Sequence, residues 1–190
     1  MAPDDDLCPP PVAGAWRSAT AASRARRGPV RVAVLADTHL RAGGRALPDA
    51  AWEVVRTADV VLHAGDVVEA HLLDELGSVA PVHAVLGNND HGLERLLPER
   101  LELALGGVRI AMVHDSGARA GRPARLRRWF PEADVVVFGH SHDPVDEAGI
   151  DGQRLFNPGS PTQRRRQPRC SMGVLDLDGG AVVGHRIVAI

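Results

Sequence analysis

Apolar residues gather in five short, Val-rich runs, each broken off by polar residues: 30–37 (VRVAVLAD), 59–66 (DVVLHAGD), 82–90 (VHAVLGNND), 108–115 (VRIAMVHD) and 134–142 (DVVVFGHSH). Unbroken runs of β-branched and aliphatic residues predict strands buried on both faces, not the alternation of a half-exposed sheet. Helical patterns at 48–57 and 68–76 separate the first three runs, as βαβ crossovers would. Gly106-Gly107 reads as a hairpin turn, and a helix is predicted across Arg122 to Arg128, ahead of Trp129-Phe130. Beyond His142 the chain reads as short strands at 145–147, 154–156, 170–177 and 181–190. An α/β domain with two packed layers of sheet accounts for this order.

The residues that end the runs share one chemistry. Asp37, His39, Asp66, Asn88, His114, His140 and His142 can all ligate metal, and most sit at or just after a predicted strand end. In open α/β sheets the ligand crevice lies beyond the carboxyl ends of the strands, so these seven are expected to converge. Four His, two Asp and one Asn form a mixed nitrogen and oxygen set that suits Mn²⁺, Fe or Zn²⁺ better than Mg²⁺ or Ca²⁺, with Ni²⁺ a further option. Two such ions about 3.5–4 Å apart need a bridging ligand, and a carboxylate can give one oxygen to each. Asp66, following Gly65 in a turn, is the candidate bridge.

In chain order, D-x-H (Asp37 to His39), G-D (Gly65-Asp66), G-N-N-D (Gly87 to Asp90), a strand-ending His114, G-H-S-H (Gly139 to His142) and N-P-G-S (Asn157 to Ser160) resemble the motifs of the calcineurin-like metallophosphoesterase superfamily. The likeness is greatest to its small single-domain bacterial and archaeal phosphodiesterases. It implies a four-layer αββα sandwich, two mixed β-sheets flanked by helices. It further implies two divalent ions, Mn²⁺ first among the candidates, one held by Asp37, His39, Asp66 and His142 and the other by Asp66, Asn88, His114 and His140. Hydrolysis of a small phosphodiester by a hydroxide bridging the ions follows, with Asp66, Asn88 and His114 as the catalytic set. A phosphomonoesterase or cyclic-nucleotide phosphodiesterase is the nearer alternative. A non-catalytic protein-binding scaffold is the other, since the retromer scaffold subunit of eukaryotes uses this fold with metal residues partly replaced. Here all seven are present.

Two positions depart from the family pattern. Asn89 stands where many members carry the His thought to protonate the leaving group, and an amide cannot donate that proton. Asp115 stands where relatives often have Gly, and reads either as an acceptor for a ligand His or as a loop residue. His91 could replace the missing acid, but a side chain one position along normally points elsewhere. Asp90 reads as structural or as support for the ligands. His63, His71, His83, His91 and His185 read as packing or surface residues. Arg164, Arg165 and Arg166 read equally as a phosphate grip and as a solvated loop, whereas Arg122, Arg125, Arg127 and Arg128 read as a solvated helix face.

Composition narrows the remaining options. The 190 residues suit one domain, assigned to 29–190 behind a disordered extension at 1–28, and the net charge of −2 gives no general pull toward nucleic acid or membrane. Lys and Tyr are absent, which excludes Schiff-base and phenolic mechanisms. Two cysteines, Cys8 and Cys170, indicate no disulfide framework and fit a reducing cytoplasm. No apolar stretch approaches the roughly 20 residues that cross a bilayer. A homo-oligomer is compatible with all of this.

Overall fold

The computed structural model describes residues 28–190, so the assignments made for Cys8 and, apart from Gly28, for the extension lie outside the described residues. The Val-rich runs form strands β1 (Val30–Leu35), β2 (Val60–His63), β3 (Val82–Ala84), β5 (Val108–Val113) and β6 (Val135–Val137). Strand β4 (Arg100–Leu105) pairs with β5 through the expected Gly106-Gly107 hairpin. Strands β7 (Val145–Ala148), β8 (Arg154–Asn157), β9 (Ser171–Asp178) and β10 (Ala181–Ala189) complete the set, with Cys170 just outside β9 as a free thiol.

Helices α1 (Asp49–Arg56) and α3 (Arg122–Trp129) lie where the patterns placed them, but α2 (His71–Gly77) starts three residues later than expected. The cause is local. Val68 has φ = 79°, a left-handed conformation that a β-branched residue rarely adopts and that no right-handed helix accommodates. Its N–H is bound instead by Asp90 Oδ1 at 2.6 Å.

Two mixed five-stranded sheets result, ordered β10-β9-β1-β2-β3 and β4-β5-β6-β8-β7. Strands β1, β2 and β3 are parallel, as are β5 and β6. Alternate residues of each buried strand face different layers. Val32, Val34 and Leu62 pack on Ile110, Met112, Val137 and Phe156 of the other sheet. Ala33, Leu35 and Val61 face α1 and α2 through Ala51, Val55, Leu72 and Leu76. On the far side Ala111, Val136 and Leu155 pack on Leu126 of α3 and on Phe130. Full burial of each large side chain stabilises the fold by about 1.5–3 kcal/mol. The layers therefore run helix, sheet, sheet, helix, the four-layer sandwich expected. Among the described residues no helix is long and apolar enough to cross a membrane.

Candidate metal centre

The carboxyl ends of β1, β2, β3, β5 and β6 deliver all seven candidate ligands to one place. His142 Nε2 lies 3.5 Å from Asp37 Oδ1, and the His142 and His39 rings stack at 5.3 Å. Asp66 stands between the two ends of the cluster, with Oδ2 3.4 Å from His39 Nε2 and Oδ1 3.4 Å from His114 Nε2. Asn88 Oδ1 is 3.1 Å from His114 Nε2 and 2.9 Å from His140 Nδ1. Two sets have donor atoms within 4.8 Å of one another, as cation ligation requires: Asp37 with His39 and His142, and Asp37 with Asp66 and His114. His140 belongs to neither set and is exposed, reaching the cluster through Asn88.

The turns that aim these residues are unusual in their backbone. Asp37, His39, Asp66, His140 and His142 all have φ between 46° and 67°. Each such residue carries a modest conformational cost that surrounding contacts must offset. Gly65 (φ = 86°) permits close approach: a methyl group there would lie 2.6 Å from His114 Nδ1 and 2.9 Å from Gly87 Cα. At Gly87 a methyl group would overlap the backbone nitrogen and carboxylate of Asp66.

Supporting contacts hold the ligands in orientation. A carbonyl only accepts hydrogen bonds, so Ala64 O at 2.7 Å from His114 Nδ1 and Gln163 O at 2.9 Å from His142 Nδ1 place the proton on each Nδ1. In the neutral rings both Nε2 atoms then face the cluster as acceptors, the arrangement by which metal-binding imidazoles are usually oriented. The Asp90 carboxylate accepts N–H bonds from Asp66 (3.0 Å), Gly87 (2.7 Å) and Val68 (2.6 Å), which makes it the support of the left-handed turn at Asp66. Asn89 donates twice to Asp66, from its backbone N–H to Oδ1 (2.8 Å) and from Nδ2 to Oδ2 (2.7 Å). The N-P-G-S segment ties the other loops down. Asn157 Nδ2 donates to Gly139 O (2.9 Å), Ser160 Oγ to Asp37 O (2.8 Å) and Thr162 Oγ1 to Thr38 O (2.7 Å).

Other histidines stay apart from the cluster. His63 is fully buried with Nε2 3.0 Å from Thr38 Oγ1, and burial, with a smaller push from His114, lowers its pKa to about 3. His91 is exposed. Asp115 Oδ1 accepts the Gly117 N–H at 2.7 Å, which is the loop role of the two considered for it.

Electrostatics in the cluster are those of a site awaiting positive charge. Burial raises the Asp37 pKa to about 7, against the pull of His114. Burial likewise lowers His142 to about 4 and holds His39 below its ordinary value. For Asp66 burial acts upward, but hydrogen bonding and charge from His114, with both Asn89 donors, outweigh it and hold the carboxylate well below its usual range. His114 is shifted up: burial opposes this, and the contact with Asp66 overcomes it. Asp37 Oδ2, His39 Nε2 and His142 Nε2 are buried with no hydrogen-bond partner among the described residues. Buried polar atoms are nearly always satisfied. Three unsatisfied donor atoms of a single set fit a divalent cation of the Mn²⁺, Fe or Zn²⁺ type.

A sequence profile of the calcineurin-like phosphoesterase superfamily domain matches residues 30–180. The chain belongs to that superfamily. A probable metallophosphoesterase from Methanothermobacter thermautotrophicus is 34% identical over 152 residues, which cover 78% of this chain and 86% of the relative. Among solved structures, vacuolar protein sorting 29 from Cryptosporidium parvum superposes with a TM-score of 0.71 at 19% identity, covering 86% of this chain and 100% of that one. Wild-type Vps29 from Entamoeba histolytica, solved with Zn²⁺, gives a TM-score of 0.64 at 23% identity over 84% and 99% of the two chains. These two likenesses show the fold. Superfamily membership makes the chain a metallophosphoesterase by family, with a site suited to divalent metal.

The contact of Asn89 with Asp66 is the feature of the cluster that the sequence did not reveal. The residue type suggested only a missing acid, and nothing near it signalled a double hold on Asp66. The carbonyls of Ala64 and Gln163 carry no side-chain signature at all.

Proposed function

We propose that the domain at 29–190 hydrolyses small phosphodiesters at a dinuclear metal site. The observation that carries this reading is the unsatisfied set Asp37 Oδ2, His39 Nε2 and His142 Nε2 beside a carboxylate, Asp66, within 3.4 Å of imidazoles on either side. Asp37, His39, His142 and Asp66 would hold one ion, and Asp66, Asn88, His114 and His140 the other, with Mn²⁺ the first candidate. When bound, such ions lower the pKa of water toward about 7 and neutralise charge on phosphoryl oxygens. The chain's own residues supply orientation. Ala64 and Gln163 point two imidazole acceptors inward, Asp90 sets the Asp66 turn, and Asn89 holds both Asp66 oxygens. The test is hydrolysis of bis-p-nitrophenyl phosphate by purified protein reconstituted with Mn²⁺, alongside its metal content. Metal bound without turnover of any ester would favour a protein-binding scaffold, a reading drawn from the likeness to Vps29. Soluble action in the cytoplasm is part of the proposal.

Asn89 gives the reaction a recognisable signature. Its amide is occupied by Asp66 and has no transferable proton, so the leaving group departs without help from this position. General acid help contributes about 10²–10⁴ in rate. Across aryl and alkyl phosphodiesters the rate is therefore expected to fall steeply as leaving-group pKa rises. A flat dependence would require another acid.

Metal uptake is expected to depend on pH in a definite direction. Asp37 ionises near pH 7 in the metal-free protein, while His142 stays neutral down to about 4. Between these values a cation must displace the Asp37 proton, and the His114 proton where that ring is charged, so affinity falls by at least about tenfold per pH unit on acidification well below 7. Calorimetry at pH 6 in buffers of different ionisation enthalpy should register at least one proton released per protein loaded. No proton release would contradict the Asp37 assignment.

A further inference from the structure

The geometry points to Arg165 as the residue that grips the phosphoryl oxygens of the substrate, an inference that rests on the phosphoesterase reading above. Of the three consecutive arginines, Arg164 is occupied locally, its Nη1 donating to Gln167 O at 3.1 Å. Arg165 takes φ = 47° and brings Nη1 to 3.4 Å from the carbonyl oxygen of His140. Such a contact is long for a charged donor, which prefers about 2.7–2.9 Å with an anionic acceptor. The guanidinium is thus parked, not satisfied. Among the described residues no carboxylate lies within ion-pair distance of it, whereas Arg31, Arg56, Arg109, Arg127, Arg154 and Arg186 each have one.

The loop holding Arg165 is anchored on both sides of it. Ser160 and Thr162 bind the Asp37 and Thr38 carbonyls, Gln163 O accepts a hydrogen bond from His142 Nδ1, and Gln167 Nε2 donates to Asp143 Oδ1 at 2.7 Å. Arg165 therefore sits at the rim beside His140, two residues beyond the Gln163 carbonyl that holds His142. A cation placed beside a cation site weakens metal binding unless an anion joins both. A phosphate group does so, and the planar guanidinium fork matches two of its oxygens.

The experiment titrates inorganic phosphate into Mn²⁺-loaded protein by calorimetry. Arg165→Gln is expected to weaken phosphate binding by about 10- to 100-fold, the range of charged hydrogen bonds, and to raise KM for bis-p-nitrophenyl phosphate by a similar factor while bound manganese stays the same. Arg165→Lys keeps the charge without the fork and should recover part of that loss. Arg166→Gln should stay within about twofold of wild type. Unchanged phosphate affinity in Arg165→Gln, or loss of manganese with it, would overturn the assignment. Phosphate binding is read without turnover. A wild-type protein that binds phosphate through Arg165 yet hydrolyses no ester would sink the phosphoesterase reading and leave the anion site standing.

Discussion

Asp66→Ala is expected to remove turnover, by at least about 10³-fold, and to lower metal affinity by at least about 10²-fold, since ligand-supporting residues alone are worth 10–100-fold. The reason is positional. Asp66 is the carboxylate that lies 3.4 Å from both His39 and His114, so its loss removes an oxygen from each half of the cluster. The imidazoles of His39 and His114 would face a cation with only Asp37 left to balance its charge. Asn89 would lose both acceptors as well, leaving its side-chain amide to find water. Metal content by mass spectrometry and rate on bis-p-nitrophenyl phosphate check this. His91→Ala, at an exposed position, serves as the comparison. Equal effects of the two substitutions would count against the ligand assignment.

Asp90→Ala is expected to cost stability rather than ligands, by about 3 kcal/mol or more. Three backbone N–H groups converge on that carboxylate, two of them buried contacts, and an unpaired buried donor costs about 1–3 kcal/mol. Total stabilities are only about 5–15 kcal/mol, so a large drop in thermal midpoint should follow. The turns at Asp66 and Val68, both left-handed, would lose the contact that offsets their conformational cost. Asp90→Asn can still accept through one oxygen and should fall between. A midpoint unchanged in Asp90→Ala would show that the turn is held by other means.

Much of this architecture was legible in the chain because the strands are buried on both faces. Burial demands unbroken Val and Leu, and 30–35 or 135–137 can be little else than interior strands. The convergence of seven polar residues followed from strand direction alone. What escaped was set by contacts between distant segments. Val68 continues an apolar pattern that reads as helix, yet Asp90 captures its N–H from 22 positions away and turns the backbone left-handed. Left-handed turns at Asp37 and His39 are invisible for the same reason: no glycine marks them, and the restraint comes from residues such as Ser160 and Thr162, more than 120 positions along. The occupation of Asn89 by Asp66 likewise depends on two turns meeting in space.

The allocation of the candidate ligands between the sheets has a mechanical consequence. Asp37, His39, Asp66 and Asn88 hang from the sheet of β1, β2 and β3, whereas His114, His140 and His142 hang from that of β5 and β6. Both donor sets draw on each sheet. A cation seated there would act as a rivet through the sandwich, and its extraction by a chelator would lower the thermal midpoint of the whole domain.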